Sequence, residues 1–178
     1  MLKALWSGIF SVLQVLAFAL GLFFFLYLLV MRPHKIKGES MMPNFPNAEY
    51  LLTERVSYYF HDPKRGDVVV FLPPVSEDEY IKRVIGLPGD TVAIRNNQVY
   101  LNNQLLTEDY LPKETVTADG NFIKEGESYT IPADKFIVLG DNRSHSYDSR
   151  SWGPIKKSDI RGRAWIIYWP VSKFKVLN

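Results

Sequence analysis

The sequence predicts a mainly β domain placed behind one apolar helix. Two observations carry this. After Pro33, short runs rich in Tyr, Val, Ile, Phe and Trp alternate with turn residues, and no 3.6-residue periodicity runs through them. Before Pro33, the stretch from Ala4 to Met31 carries no charge.

The N-terminal run, GIFSVLQVLAFALGLFFFLYLLVM, is interrupted only by Ser11, Gln14 and glycines. It exceeds the ~20 apolar residues that a membrane-spanning helix needs. A removable secretory signal would have an apolar region of only ~7–15 residues. Apolar sequence also continues past the cleavage-like Ala17-Phe18-Ala19. A retained span over residues 5–31 is therefore expected, with residues 1–4 preceding it and a domain over 32–178 following. Lys3 flanks one end, and Arg32, Lys35 and Lys37 flank the other. By the positive-inside tendency alone, that bias places the following domain in the cytoplasm.

Within the domain, the strand-forming runs are EYLLTERVSYYF, GDVVVFLPP, DEYIKRVIGLPGD, DTVAIRNNQVYLNNQLL, DKFIVLGDN and GRAWIIYWP. VAIRNNQVYLNNQLL reads as a hairpin with a turn at Asn96–Asn97 and a second at Asn102–Asn103. Residues 107–130 are rich in Glu, Thr and Gly and read as an excursion of loops. The closing AWIIYWPVSKF is heavily aromatic and reads as a core strand more readily than as a membrane-surface patch, although Trp and Tyr favour membrane interfaces. A catalytic core over about 35–90 and 135–170, with an inserted hairpin and loop subdomain over about 91–134, is the expected organisation.

Composition narrows the chemistry. The chain has 178 residues, 21 Lys+Arg against 19 Asp+Glu, a net charge of +2, and no basic cluster suited to nucleic acid. Cysteine is absent, which excludes disulfides and thiolate chemistry. His34, His61 and His145 lie far apart and show no metal-ligand spacing, so no metal site is expected.

Three stretches can carry chemistry. In YIKRV, Lys82 and Arg83 sit side by side inside a strand. Successive strand side chains point to opposite faces. Lys82 shares a face with Tyr80 and Val84, and Arg83 shares the other with Ile81 and Ile85. A buried Arg stays protonated and can only pair and position. A buried Lys can lose its proton, because desolvation disfavours the ammonium. The strand alone leaves two readings open: a general base, or a lysine whose head snorkels to water. In KIKGESMMPNF, Ser40 needs a neighbouring base to become a nucleophile, and Ser–Lys pairs are a known arrangement. The G-x-S-x-G elbow is absent, since Ser40 sits in Gly-Glu-Ser-Met-Met. GDNRSHSYDSR packs two Asp, two Arg, one Asn and three Ser into one loop. It suits either a solvated turn or a polar shell that orients a site.

Taken together and in this order, the span, GESMMP, KRGDVVVF, YIKRVIGLPGD and GDNRSHSYDSR resemble the type I signal peptidases, in particular their short, single-span Gram-positive forms. The resemblance implies a signal-peptidase-like antiparallel β-sheet domain and a Ser-Lys serine endopeptidase without a cofactor. Ser40 matches the nucleophile and Lys82 the general base. Ser146 matches a serine that hydrogen-bonds the lysine amine. Asp141, Arg83, Asp148 and Arg150 match supporting ion-pair positions. The backbone N–H of Ser40 would help hold the oxyanion. Gly38 falls where some members carry a hydroxyl for that task, so the second donor stays unassigned. His145 stands at a variable position.

The resemblance further implies shallow pockets lined by Ile36, Gly38, Met41, Phe45, Tyr80 and Ile81. The substrate would be the signal peptide of an exported preprotein, cut after an Ala-X-Ala type site and held as an added strand between Ile36–Gly38 and Glu79–Ile81. It implies a cell (plasma) membrane enzyme near the secretion translocon, in contact with the lipid bilayer. Its N-terminus would be cytoplasmic and its catalytic domain extracytoplasmic, against the charge bias. Two other readings compete. One is a membrane-anchored β module that only binds exported peptides. The other is a self-cleaving repressor-type Ser-Lys domain, which the missing Ala-Gly dipeptide and the apolar span disfavour.

Overall fold

The computed structural model describes residues 2–177. The chain divides into two compact units, Met1–Arg32 and Pro33–Asn178. The first is helix α1 (Leu2–Val30). Its window Gly8–Phe25 is long and apolar enough to cross a bilayer, and none of that window is buried. At 1.5 Å per residue, 18 residues span about 27 Å, close to a bilayer's hydrocarbon thickness.

The second unit is built of strands. In chain order these are β1 (Met31–Lys35), β2 (Tyr50–Glu54), β3 (Val68–Phe71), β4 (Tyr80–Gly86), β5 (Thr91–Arg95), β6 (Gln98–Leu101), β7 (Gln104–Leu105), β8 (Ser128–Thr130), β9 (Lys135–Leu139), β10 (Ile155–Lys156), β11 (Ile160–Trp169) and β12 (Lys175–Val176). Two single-turn helices, α2 (Ser57–Phe60) and α3 (Ser149–Trp152), interrupt them. One sheet runs β1-β2-β11-β3-β4-β9-β10, with β12 pairing β11. The other runs β7-β6-β5-β8. The fold is mainly antiparallel β, as the strand-forming runs predict.

Burial explains why these runs fold as they do. All four residues of β3 are buried. Its alternation sends Val68 and Val70 to a cluster with Ile36, Met41, Phe45 and Ile167, and sends Val69 and Phe71 to another with Val84, Phe136 and Val138. A strand covered on both faces reads as a continuous apolar run. The smaller sheet folds from two tight hairpins. Asn96–Asn97 and Asn102–Asn103 all have positive φ, the backbone that two-residue hairpin loops require. Its Val92, Ile94, Val99 and Leu101 pack on Ile85, Ile137 and Leu139 of β4 and β9.

Two expectations change. Residues 107–130 are more than exposed loops: Thr117 and Ile123 are buried, and β8 completes the second sheet. The closing aromatic run is only partly core. Ala164 and Ile167 are buried within β11, but Trp169 is exposed at the paired end of that strand, and Val171 and Phe174 are exposed beyond it.

Candidate active site

The strand alternation of β4 separates its two cations. Lys82 is 3% exposed, and its Nζ lies 2.7 Å from Ser40 Oγ. A second bond, from Lys82 Nζ to its neighbour's carbonyl, Ile81 O, spans 3.0 Å and fixes the amine. The ring of Tyr80 lies 5.4 Å from the same nitrogen. Burial pushes the Lys82 ammonium down from 10.5 to about 8, while the nearby carboxylates of Asp148 and Asp141 partly oppose that fall.

Arg83 pairs with Asp141 through both carboxylate oxygens, at 2.9 and 2.6 Å, and also donates to Gly66 O. Asp141 opens the Gly140–Arg150 loop and has no exposed side-chain surface. It also accepts a bond from Asn44 in the serine loop, at 2.9 Å. One carboxylate thus ties β4 to the segment that carries Ser40. Asn142 strengthens that link: its N–H donates to Ser40 O at 3.0 Å, and its side chain to Glu39 O at 3.1 Å.

Asp148 and Arg150 form a second buried pair at 2.8 and 2.9 Å. Asp148 also accepts from Gly140 N, which holds the loop's two ends together. Removing one partner of such a buried pair typically costs ~3–5 kcal/mol, because the remaining charge stays buried.

Ser146 departs from expectation. Its hydroxyl is buried without a hydrogen-bond partner, so the bond to the Lys82 amine is not formed. The hydroxyl instead lies over the Gly140 backbone. A Cβ on Gly140 would stand 2.2 Å from Ser146 Oγ and 2.5 Å from Ser40 O, so only a glycine fits beneath the hydroxyl there.

A cleft of about 790 Å³ opens beside Ser40, lined by Ile36, Gly38, Tyr80, Ile81 and Lys82 among others. Met41 and Phe45, expected to line it, do not. They are 1% and 3% exposed and pack with Leu51, Val68 and Val70. The serine loop turns them inward as anchors that hold it to the sheet, while the neighbouring Met42 stays exposed. Gly38 has φ +85 and open space where a Cβ would be, and its N–H donates to Asn47 Oδ1.

Several participants give no signal in the sequence. Arg143 is buried and donates to Gly140 O, to Thr117 Oγ1 and to both oxygens of Glu108. Tyr110 donates to Glu108, lies 4.1 Å from the Arg83 guanidinium, and offers its carbonyl to Asn44. Asn142 and Arg143 do stand in the polar GDNRSHSYDSR stretch. Nothing local marks Asn44, Glu108, Tyr110 or Thr117.

Comparison with known proteins gives the family. The family model described as signal peptidase, peptidase S26, matches residues 9–169. A signal peptidase I from Leptolyngbya laminosa is 40% identical over 80% of this chain and 71% of its own length. The signal peptidase I P of Bacillus subtilis subsp. natto is 34% identical over 95% of this chain and 94% of its own. A crystal structure of a signal peptidase I from Enterococcus faecalis aligns with a TM-score of 0.47 at 30% identity, covering 58% of this chain and 97% of that one. A buried lysine against a loop serine, on a scaffold whose sequence matches from inside the apolar helix to the end of β11, leads to one assignment: the chain belongs to the signal peptidase family, peptidase S26.

Proposed function

We propose that this chain is a membrane-anchored serine endopeptidase that removes signal peptides, with Ser40 as nucleophile and Lys82 as general base. The observation that carries the reading is the 2.7 Å approach of the Lys82 amine to Ser40 Oγ inside a buried setting that lowers its pKa to about 8. An ammonium donates to the hydroxyl and blocks it. A neutral amine has a lone pair to accept the hydroxyl proton, while one of its N–H groups stays on Ile81 O.

In acylation, Lys82 takes the proton of Ser40 as Oγ attacks the carbonyl carbon of the scissile bond. The ammonium then returns that proton to the leaving amine, and an acyl-Ser40 ester remains. In deacylation, the same amine takes a proton from water as the hydroxide attacks the ester, then returns it to Ser40 Oγ. The backbone N–H of Ser40 serves the developing oxyanion, and each well-aimed donor of this kind contributes ~2.7–4 kcal/mol. The Gly38 N–H is occupied by Asn47, which argues against it as the second donor unless Asn47 moves.

The substrate lies in the cleft between Ile36–Gly38 and Glu79–Ile81 as an added strand. Ile36, Gly38, Tyr80 and Ile81 contact it, while Met41 and Phe45 act from beneath as packing anchors. Arg83, Asp141, Asp148 and Arg150 hold the nucleophile loop and β4 in register. Ser146 joins the amine only after its side chain rotates. Residues 5–31 form the span and residues 32–178 the peptidase domain, placed outside the plasma membrane beside the translocon, where signal peptides emerge.

The test is preprotein cleavage by Ser40→Ala, Lys82→Ala and the double variant. Either single change is expected to reduce kcat by several orders of magnitude, with little further loss in the double, because members of a catalytic unit are non-additive. Retained activity in Lys82→Ala refutes the mechanism and favours a module that only binds peptides.

A further inference from the structure

A second cavity, of about 640 Å³, lies at the end of the larger sheet away from Ser40. Its charged lining is Arg55, Lys135, Lys156 and Lys157 against one carboxylate, Asp134. Lys135 and Lys156 are direct cross-strand partners in the β9–β10 pair. Residues directly opposite share a face, and like charges placed so destabilise the pair. Among the described residues no ion pair joins the Arg55 guanidinium or the Lys135 and Lys156 ammonium groups to a carboxylate, and Asp159 meets Lys156 at its backbone N–H, whereas Lys157 pairs with Asp62 at 2.6 Å. Arg55 is held 5.7 Å from the Tyr59 ring, which sets the direction of its guanidinium. Three cations outside any ion pair therefore line one concave space, with Asp134 as the one carboxylate on its wall, and two of the three stand opposite each other across the strands.

We propose that this cavity binds a phosphate-bearing ligand, with Lys135 and Lys156 clamping the oxyanion from adjacent strands and Arg55 closing it from β2's end. A phosphate ester relieves the cross-strand repulsion and offers acceptors to the guanidinium fork and both ammonium groups. The cavity volume exceeds that of a bare phosphate and leaves room for the ester's organic part beside Tyr59. Two sources supply this chemistry, a soluble phosphate ester and a phospholipid headgroup. The site does not touch the cleft at Ser40, so occupancy is not required for peptide cleavage.

The test uses the full chain in phosphatidylcholine nanodiscs, titrated calorimetrically with glycerol phosphate. Saturable binding is expected, weakened about tenfold or more in Lys135→Gln/Lys156→Gln, since hydrogen bonds to charged groups contribute ~1.5–3 kcal/mol. The variant removes a repulsion, so its own unfolding midpoint is expected to hold or rise, and its preprotein cleavage to match the parent. In a second arm, phosphatidylglycerol replaces part of the phosphatidylcholine. A rise in unfolding midpoint that the double variant lacks identifies the lipid headgroup as the source. The proposal is overturned if neither ligand has an effect, if binding is unchanged in the variant, or if chloride at equal ionic strength reproduces the effect.

Discussion

Replacing Lys82 by methionine is expected to abolish cleavage and yet stabilise the fold at neutral pH. Burial lowers the ammonium from 10.5 to about 8, which corresponds to a penalty of about 3 kcal/mol for holding the proton in the folded state. Methionine fills similar space without charge. It forfeits the bonds to Ser40 and Ile81, together worth about 2 kcal/mol, so the net gain at pH 7 is about 1 kcal/mol. The pH dependence isolates the lysine. Below pH 8 both folded and unfolded states are protonated, and the penalty is complete. Between pH 8 and 10.5 the unfolded chain binds the proton and the folded one does not, so the parent gains stability as pH rises. Other groups cancel in the comparison. The stability of the variant relative to the parent should therefore fall by about 2–3 kcal/mol between pH 7 and pH 10. Urea unfolding of both full chains in one detergent, at a series of pH values, measures this. A difference that stays flat over that range would refute a buried, titrating Lys82.

Three further outcomes follow from the same geometry. Preprotein kcat/KM should rise about tenfold per pH unit below pH 8 and level off above it; a profile flat from pH 6 to 10 contradicts a lysine base of this pKa. Gly140→Ala places a methyl 2.5 Å from Ser40 O, against backbone that must shift, and should reduce kcat about a hundredfold or more; steady-state kinetics at parental values would remove the loop from the positioning role. Asn44→Leu leaves Asp141 and Tyr110 O each one donor short, so kcat should drop with KM nearly unchanged, and stability should fall by about 1–3 kcal/mol; a change confined to KM would instead place Asn44 in substrate binding.

What the sequence discloses follows from the range of the interaction. Strand alternation is local, so YIKRV already separates Lys82 from Arg83, and VVVF already reads as a strand covered on both sides. Paired asparagines announce their hairpins because only the turn backbone matters. Side chains in irregular loops have no period to betray their direction. The family resemblance therefore assigns Met41 and Phe45 to the cleft, although burial against Leu51 and Val68 turns them inward. Ser146 shows the same limit at the scale of one rotamer, because its neighbour in space is the Gly140 backbone. Glu108 is invisible as a site residue, since its partner Arg143 lies 35 positions away across an unremarkable polar segment.

That long-range pair has a consequence for cooperativity. The smaller sheet leaves the larger one at the end of β4 and returns at β9, two adjacent antiparallel strands that a short turn could join directly. Excision would nevertheless strand the Arg143 guanidinium, whose counterion and hydroxyl acceptor, Glu108 and Thr117, both belong to the excised part. The backbone of Arg150 would also lose Phe122 and Ile123, which donate to its carbonyl. The two sheets are thus expected to open as a single foldon. Amide hydrogen exchange should report one shared opening free energy for Val92, Ile94, Val138 and Leu139, and a shortened chain without residues 91–130 should fail to fold rather than fold as a smaller enzyme.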